Sequence, residues 1–215
     1  MIVSYCPVIK LEHKTMKKIM ILGAGLLFAG FAQAQTSTSP TLGVKGGLNI
    51  AKFSGSPDPN SDFTAGFSAG LFSNIPVASG FSFEPSVEFS QKGSQFTTFG
   101  NAEVKTKISY IDLPLMAKYN VTPAFGIYAG PQVAFFVDQE TKIVNANGST
   151  TTFEGDNSNY SKSLAGAKAG LSYNFGSVLF NASYAADLQN LYKENTNNRD
   201  LKNQVINLGL AYSFK

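Results

Sequence analysis

The chain is poor in the residues most enzymes use. Among 215 residues there is one Cys, one His and no Trp. Cys6 and His13 both lie in a segment read below as a leader. Without it, thiol catalysis, a Ser-His triad and His-based metal sites are excluded by absence. No disulfide can form within the remaining chain. Long hydrophobic runs are missing as well: no stretch approaches the roughly 18 apolar residues a membrane helix needs, and mean hydropathy is −0.02. Charge of one sign is also lacking once the leader is set aside. The formal net charge of +3 comes from Lys10, Lys14, Lys17 and Lys18 against Glu12. Removing these five leaves 13 basic and 13 acidic residues. The alkaline pI is therefore a leader effect, and no nucleic-acid partner follows from it.

Residues 1–34 read as a leader with a secretory signal peptide. Lys17 and Lys18 form a positive start after Met16, Ile19 to Phe31 is a short apolar stretch, and Ala32-Gln33-Ala34 is an A-x-A site. Cleavage is expected between Ala34 and Gln35. Met16 is the expected translational start, because Lys10, Glu12, His13 and Lys14 spoil any longer signal. Residues 35–40 are a polar lead-in, and 41–215 form one domain.

What is present is aromatic content, with 18 Phe and 9 Tyr, and alternation. Leu42, Val44, Gly46, Leu48 and Ile50 share one face of a first strand, opposite Gly43, Lys45, Gly47 and Asn49. Phe81, Phe83, Pro85, Val87 and Phe89 do so in the third, opposite Ser82, Glu84, Ser86, Glu88 and Ser90. Six more segments repeat the pattern, at 63–71, 110–121, 125–137, 165–175, 178–187 and 206–214. Period-two alternation marks strands with one apolar face. Polar stretches at 54–62, 93–103, 141–162 and 192–203 are expected loops. The connections between them, around 75–80, 122–124 and 174–177, are short. Long and short connections thus alternate. This predicts an all-β fold, an eight-stranded antiparallel up-and-down transmembrane β-barrel with tight turns at the periplasmic end. An even strand number leaves both termini periplasmic, in the cell outer membrane of a Gram-negative envelope. Proline removes a ladder donor, so bulges or strand ends are expected near Pro85, Pro114 and Pro131.

Four segments carry a family resemblance. Gly43-Val44-Lys45-Gly46-Gly47-Leu48-Asn49 is similar to the opening strand of the porin-family outer-membrane β-barrel domain. So are Tyr110-Ile111-Asp112-Leu113-Pro114-Leu115, Gly126-Ile127-Tyr128-Ala129-Gly130-Pro131 and the closing Leu208-Gly209-Leu210-Ala211-Tyr212-Ser213-Phe214. The resemblance covers the chain from about residue 40 onward. It implies a small eight-stranded barrel and does not imply an open pore. The last aromatic is the penultimate Phe214, followed by Lys215, where the usual assembly signal ends on the aromatic.

The polar faces carry Lys45, Glu84, Glu88, Asp112, Lys118 and Lys168. Inside eight strands there is room for side chains only, so these three acids and three bases are expected to pair and plug the lumen. Glu84 and Glu88, about 13 Å apart along a strand, make a poor catalytic dyad. Phe83, Val87, Leu113, Leu115, Val133, Leu208 and Leu210 are the expected lipid-facing residues. Tyr119, Tyr173, Phe175, Tyr212 and Phe214 are the expected interfacial girdle. Asp58-Pro59-Asn60-Ser61-Asp62 mimics the start of a calcium loop, but Phe63 and Ala69 stand where the motif needs Gly and Glu. No catalytic residue, metal or cofactor is expected. The expected partners are outer-membrane lipids, the barrel-insertion machinery and a surface ligand through the 141–162 loop; nucleic acid is not, and a monomer is. Three other readings share parts of the pattern: a narrow ion or solute channel, a small-barrel lipid-modifying enzyme, and a soluble lipid-binding barrel.

Overall fold

A computed structural model describes residues 39–56, 61–98, 102–144, 149–154, 160–192 and 200–214. The leader, its cleavage site and most of the calcium-loop mimic lie outside these. Nine strands follow one another: β1 Thr41–Ser56, β2 Thr64–Ala78, β3 Phe81–Thr98, β4 Ala102–Asn120, β5 Phe125–Val144, β6 Thr150–Glu154, β7 Ser163–Phe175, β8 Val178–Asp187 and β9 Asp200–Ser213. Each pairs antiparallel with its chain neighbour, except that β5 pairs with both β6 and β7. The β1–β9 pairing then closes eight strands into a barrel, with β6 an appendage of β5.

Tight turns close one end. Gly80 and Gly176 take φ of 77° and 82°, which glycine adopts without the Cβ penalty of other residues. The third turn is tied by Thr122, whose hydroxyl accepts from the Phe125 amide at 2.9 Å.

At the other end the strands run further than the sequence suggests. The expected loop at 93–103 is largely strand: β3 continues through Thr98 and β4 begins at Ala102. The expected 141–162 connection contains the end of β5 and all of β6, which pair over Glu140–Val144 and Thr150–Glu154. These segments lack an apolar face, which is why alternation misses them. Their backbones pair nonetheless, and Thr150-Thr151-Thr152-Phe153 is built of β-branched and aromatic residues that suit a pleat. About 9–11 tilted residues cross a membrane, whereas β3, β4 and β5 have 18, 19 and 20. The excess forms a sheet rising from one side of the mouth.

The prolines behave differently from expectation. Register shifts fall between Pro76 and Ala78 and at Ser109–Tyr110. Pro85, Pro114 and Pro131 instead stay in register, paired with Leu115, Gln132 and Ala167. The β3–β4 ladder skips from Pro85–Leu115 to Glu88–Asp112, and the β4–β5 ladder from Pro114–Gln132 to Ala117–Ala129. A missing donor here interrupts the ladder without shifting it.

Candidate functional site

The barrel interior brings together buried charged side chains from several strands, and it is layered. Nearest the tight turns is an apolar layer of Phe72, Leu179 and Ala211. The Phe72 ring lies across Gly43, where a Cβ would sit 2.4 Å from it. Above this, Glu88 accepts from Lys45 at 2.8 Å and from Lys168 at 3.4 Å. The Ser86 hydroxyl donates to the same carboxylate at 2.9 Å. Lys118 faces Glu84 at 3.7 Å. A cavity of about 30 Å³ remains among Lys45, Ser68, Glu84, Glu88, Tyr128 and Lys168, room for a water or two.

A second charged layer is centred on Lys92. Its ammonium lies 3.1 Å from Asp112 and 3.9 Å from Asp187, and 4.8 Å from the centre of the Tyr110 ring. Asn203 donates to Asp187 at 2.7 Å. Beside it, the Asn49 amide nitrogen donates to Ser90 Oγ at 3.1 Å and to the Gln91 carbonyl at 2.8 Å. Its oxygen accepts from Asn207 at 2.7 Å.

An apolar layer covers the far mouth: Phe53, Ile108, Tyr110, Ala134, Phe136, Tyr160, Leu164 and Leu191. Aromatic rings run outward through it, with centroids 6.1 Å apart for Tyr110–Phe136, 5.4 Å for Phe136–Tyr160 and 5.0 Å for Tyr160–Tyr192. Backbone bonds fix this cover: the Ser161 amide donates to the Leu191 carbonyl and the Leu191 amide to that of Leu201, each at 2.8 Å. Burial pushes the Tyr160 phenol well above its ordinary pKa.

All six expected lumen charges therefore lie in buried or half-buried ion pairs. Sequence reasoning missed Lys92 and gave no role to Asp187, the last residue of the 178–187 segment. Both complete the set, giving four lysines and four carboxylates. The signal was available: Lys92 keeps the parity of Glu88 and Ser90, but ending the third strand before a loop at 93 left it out. Glu88 and Asp112 are direct cross-strand partners, a repulsive arrangement for like charges that lysines flank on both sides. Among the described residues no three Asp or Glu side chains form a metal-binding group.

Outside, Leu208, Leu210, Val133 and Phe83 are exposed, and Val87 and Leu115 are half-buried. Leu113 differs from expectation. It keeps outward parity and pairs with Val133, yet it is only 6% exposed. The girdle residues Tyr119, Tyr173, Phe175, Tyr212 and Phe214 are exposed near the tight-turn end, with Tyr173 against Phe175 at 4.6 Å and Phe81 against Tyr119 at 4.5 Å. Leu48, Phe67, Leu71, Ile127, Leu171 and Phe180 are exposed too. So large an apolar belt is far beyond what a soluble monomer shows.

A family model described as "Outer membrane protein beta-barrel domain" matches residues 31–193. The chain belongs to that family. Its strands are transmembrane, and the apolar belt meets lipid. No curated protein matches the sequence. Solved structures similar to the barrel include neisserial surface protein A, at 15% identity, covering 82% of this chain and 100% of that one with a TM-score of 0.52. Others are Ail of Yersinia pestis bound to the heparin analogue sucrose octasulfate (13% identity, 82% and 100% covered, TM-score 0.48) and OprG of Pseudomonas aeruginosa (13%, 81% and 95%, 0.43). At this level of identity the likeness to the neisserial barrel shows the fold.

Proposed function

We propose that this outer-membrane barrel is non-enzymatic and closed, an envelope component with a surface-binding role rather than a pore. The observation that carries this reading is the layering of the lumen. Four lysines and four carboxylates occupy its middle in pairs, with an apolar cluster packed toward each end. An isolated charge there would be very costly, so the pairs hold one another in place and leave no continuous water path. Eight strands enclose space that side chains fill; open channels need about 16–18. The absence of His and Cys after the leader speaks against the lipid-modifying enzyme.

The same reading places both termini and the tight turns in the periplasm, with β6 and the upper parts of β3, β4 and β5 outside the cell. Tight periplasmic turns and longer external segments are the rule for such barrels. The 141–162 region is then the part offered to a surface ligand, and the side-chain-filled barrel works as a monomer inserted by the barrel machinery through its closing strand and Phe214. Planar-bilayer recording tests the closed lumen. The purified protein should give no stable conductance and pass no sugars. Large steady steps, altered in ion selectivity by Glu84→Gln and Glu88→Gln without loss of stability, would instead establish a channel.

A further inference from the structure

The lipid-facing belt is uneven. On β9, β1 and β2 it is ridged by Leu208, Leu210, Leu48, Phe67 and Leu71, all exposed. On the other side one register row reads Phe83 on β3, Ala117 on β4, Ala129 on β5, Ala169 on β7 and Tyr184 on β8, each paired with the next. Three alanines thus lie side by side between two aromatic stops. The neighbouring row toward the tight turns is Phe81, Tyr119, Ile127 and Leu171, also in register and all exposed. The three alanines and the row from Phe81 to Leu171 line an open groove of about 550 Å³, mainly apolar at its surface, with Lys118, Tyr128 and Gly170 at its base.

We infer that this trough seats one acyl chain of a phospholipid from the leaflet at the tight-turn end. The inference rests on the membrane orientation proposed above. Its dimensions choose the occupant. From Phe81 to Leu171 there are three inter-strand steps, roughly 14 Å, while adjacent rows on one face are only about 7 Å apart. A slot of that shape admits a single extended hydrocarbon chain. It is too narrow for the side of a second barrel, whose surface would bridge the trough and leave it empty. The trough is continuous with the belt that already meets lipid, so hydrocarbon reaches it while covering little polar surface. Its wall leads directly to the girdle: Tyr119 belongs to both, and Tyr173 is two residues beyond Leu171. A chain lying there therefore has its headgroup at the tight-turn interface.

Native mass spectrometry of the full barrel purified in a mild detergent tests this. The wild type should retain one phospholipid per barrel. Ala129→Phe, which fills the middle of the floor, should lose it, as should the milder Ala117→Leu if the first variant fails to fold. Ala69→Phe, an equal enlargement at an exposed outward position on β2, should keep it. Circular dichroism establishes that each variant is folded. A folded wild type carrying no phospholipid, or a folded Ala129→Phe or Ala117→Leu that keeps it, would overturn the inference. Failure of the membrane reading is distinguishable, because the protein would then leave washed cells without detergent.

Discussion

At the scale of single residues, Glu88 is the most heavily committed group in the barrel. It neutralises Lys45 and Lys168 at once and stands opposite Asp112. Breaking a buried pair by removing one partner leaves the other charge uncompensated, at about 3–5 kcal/mol. Glu88→Gln should therefore lower the unfolding free energy, read from the urea midpoint and slope in detergent, by an amount in that range. A midpoint within error of wild type would mean the two lysines are solvated. Gly170 is sensitive for another reason. A Cβ there would lie 2.6 Å from the Tyr128 ring and 2.5 Å from the Ala182 carbonyl. Gly170→Ala should cost about 1–3 kcal/mol through overpacking, read from the same unfolding curves, and an unchanged or more stable variant would show that both Tyr128 and the backbone at Ala182 yield freely. On the outer face, Leu210→Arg should cost about 2–4 kcal/mol if the site lies near the bilayer midplane.

At the scale of elements, the barrel strands were legible where one face is apolar and the other polar. β1, the lower part of β3, β7 and β9 follow that alternation residue by residue. Legibility failed where the strands leave the membrane. Gln91 to Thr98 and Glu140 to Val144 pair in the ladder, but no apolar environment selects one face, so the sequence shows polar composition and nothing else. The same failure hid Lys92. The apolar cover was hidden for a different reason. Phe53, Tyr110 and Phe136 lie on faces that begin as polar lumen positions, and only closure of the barrel brings Leu164 and Leu191 against them. Within β5 the structure implies a gradient of stability. Gly126–Ala129 and Gln132–Ala134 are paired on both sides inside the barrel, whereas β6 pairs on one side only among the described residues. Amides of Thr150–Phe153 should exchange with solvent orders of magnitude faster than those of Ile127–Val133. Equal protection would mean that a further element covers the β6 edge.

At the scale of the whole molecule, one sequence pattern serves two solvents. Outward positions present Leu, Phe and Ile to lipid. Inward positions carry glycines, hydroxyls and a balanced set of charges that fill a narrow space. The proposed leader, residues 1–34, carries the net positive charge and the lone Cys. N-terminal sequencing of the membrane-inserted protein should begin at Gln35, and a start at Met1 or Met16 would contradict the assignment. The central claim is that eight strands cross a membrane with the apolar face outward. Single cysteines introduced after residue 34, where the sequence has none, probe this. In native membranes, cysteine at Leu48, Val133, Leu208 or Leu210 should resist a membrane-impermeant thiol reagent, and cysteine at Thr151 on β6 should label readily. Detergent-free labelling should separate these two sets by about tenfold or more. Equal labelling of both would contradict it and place the apolar face in water.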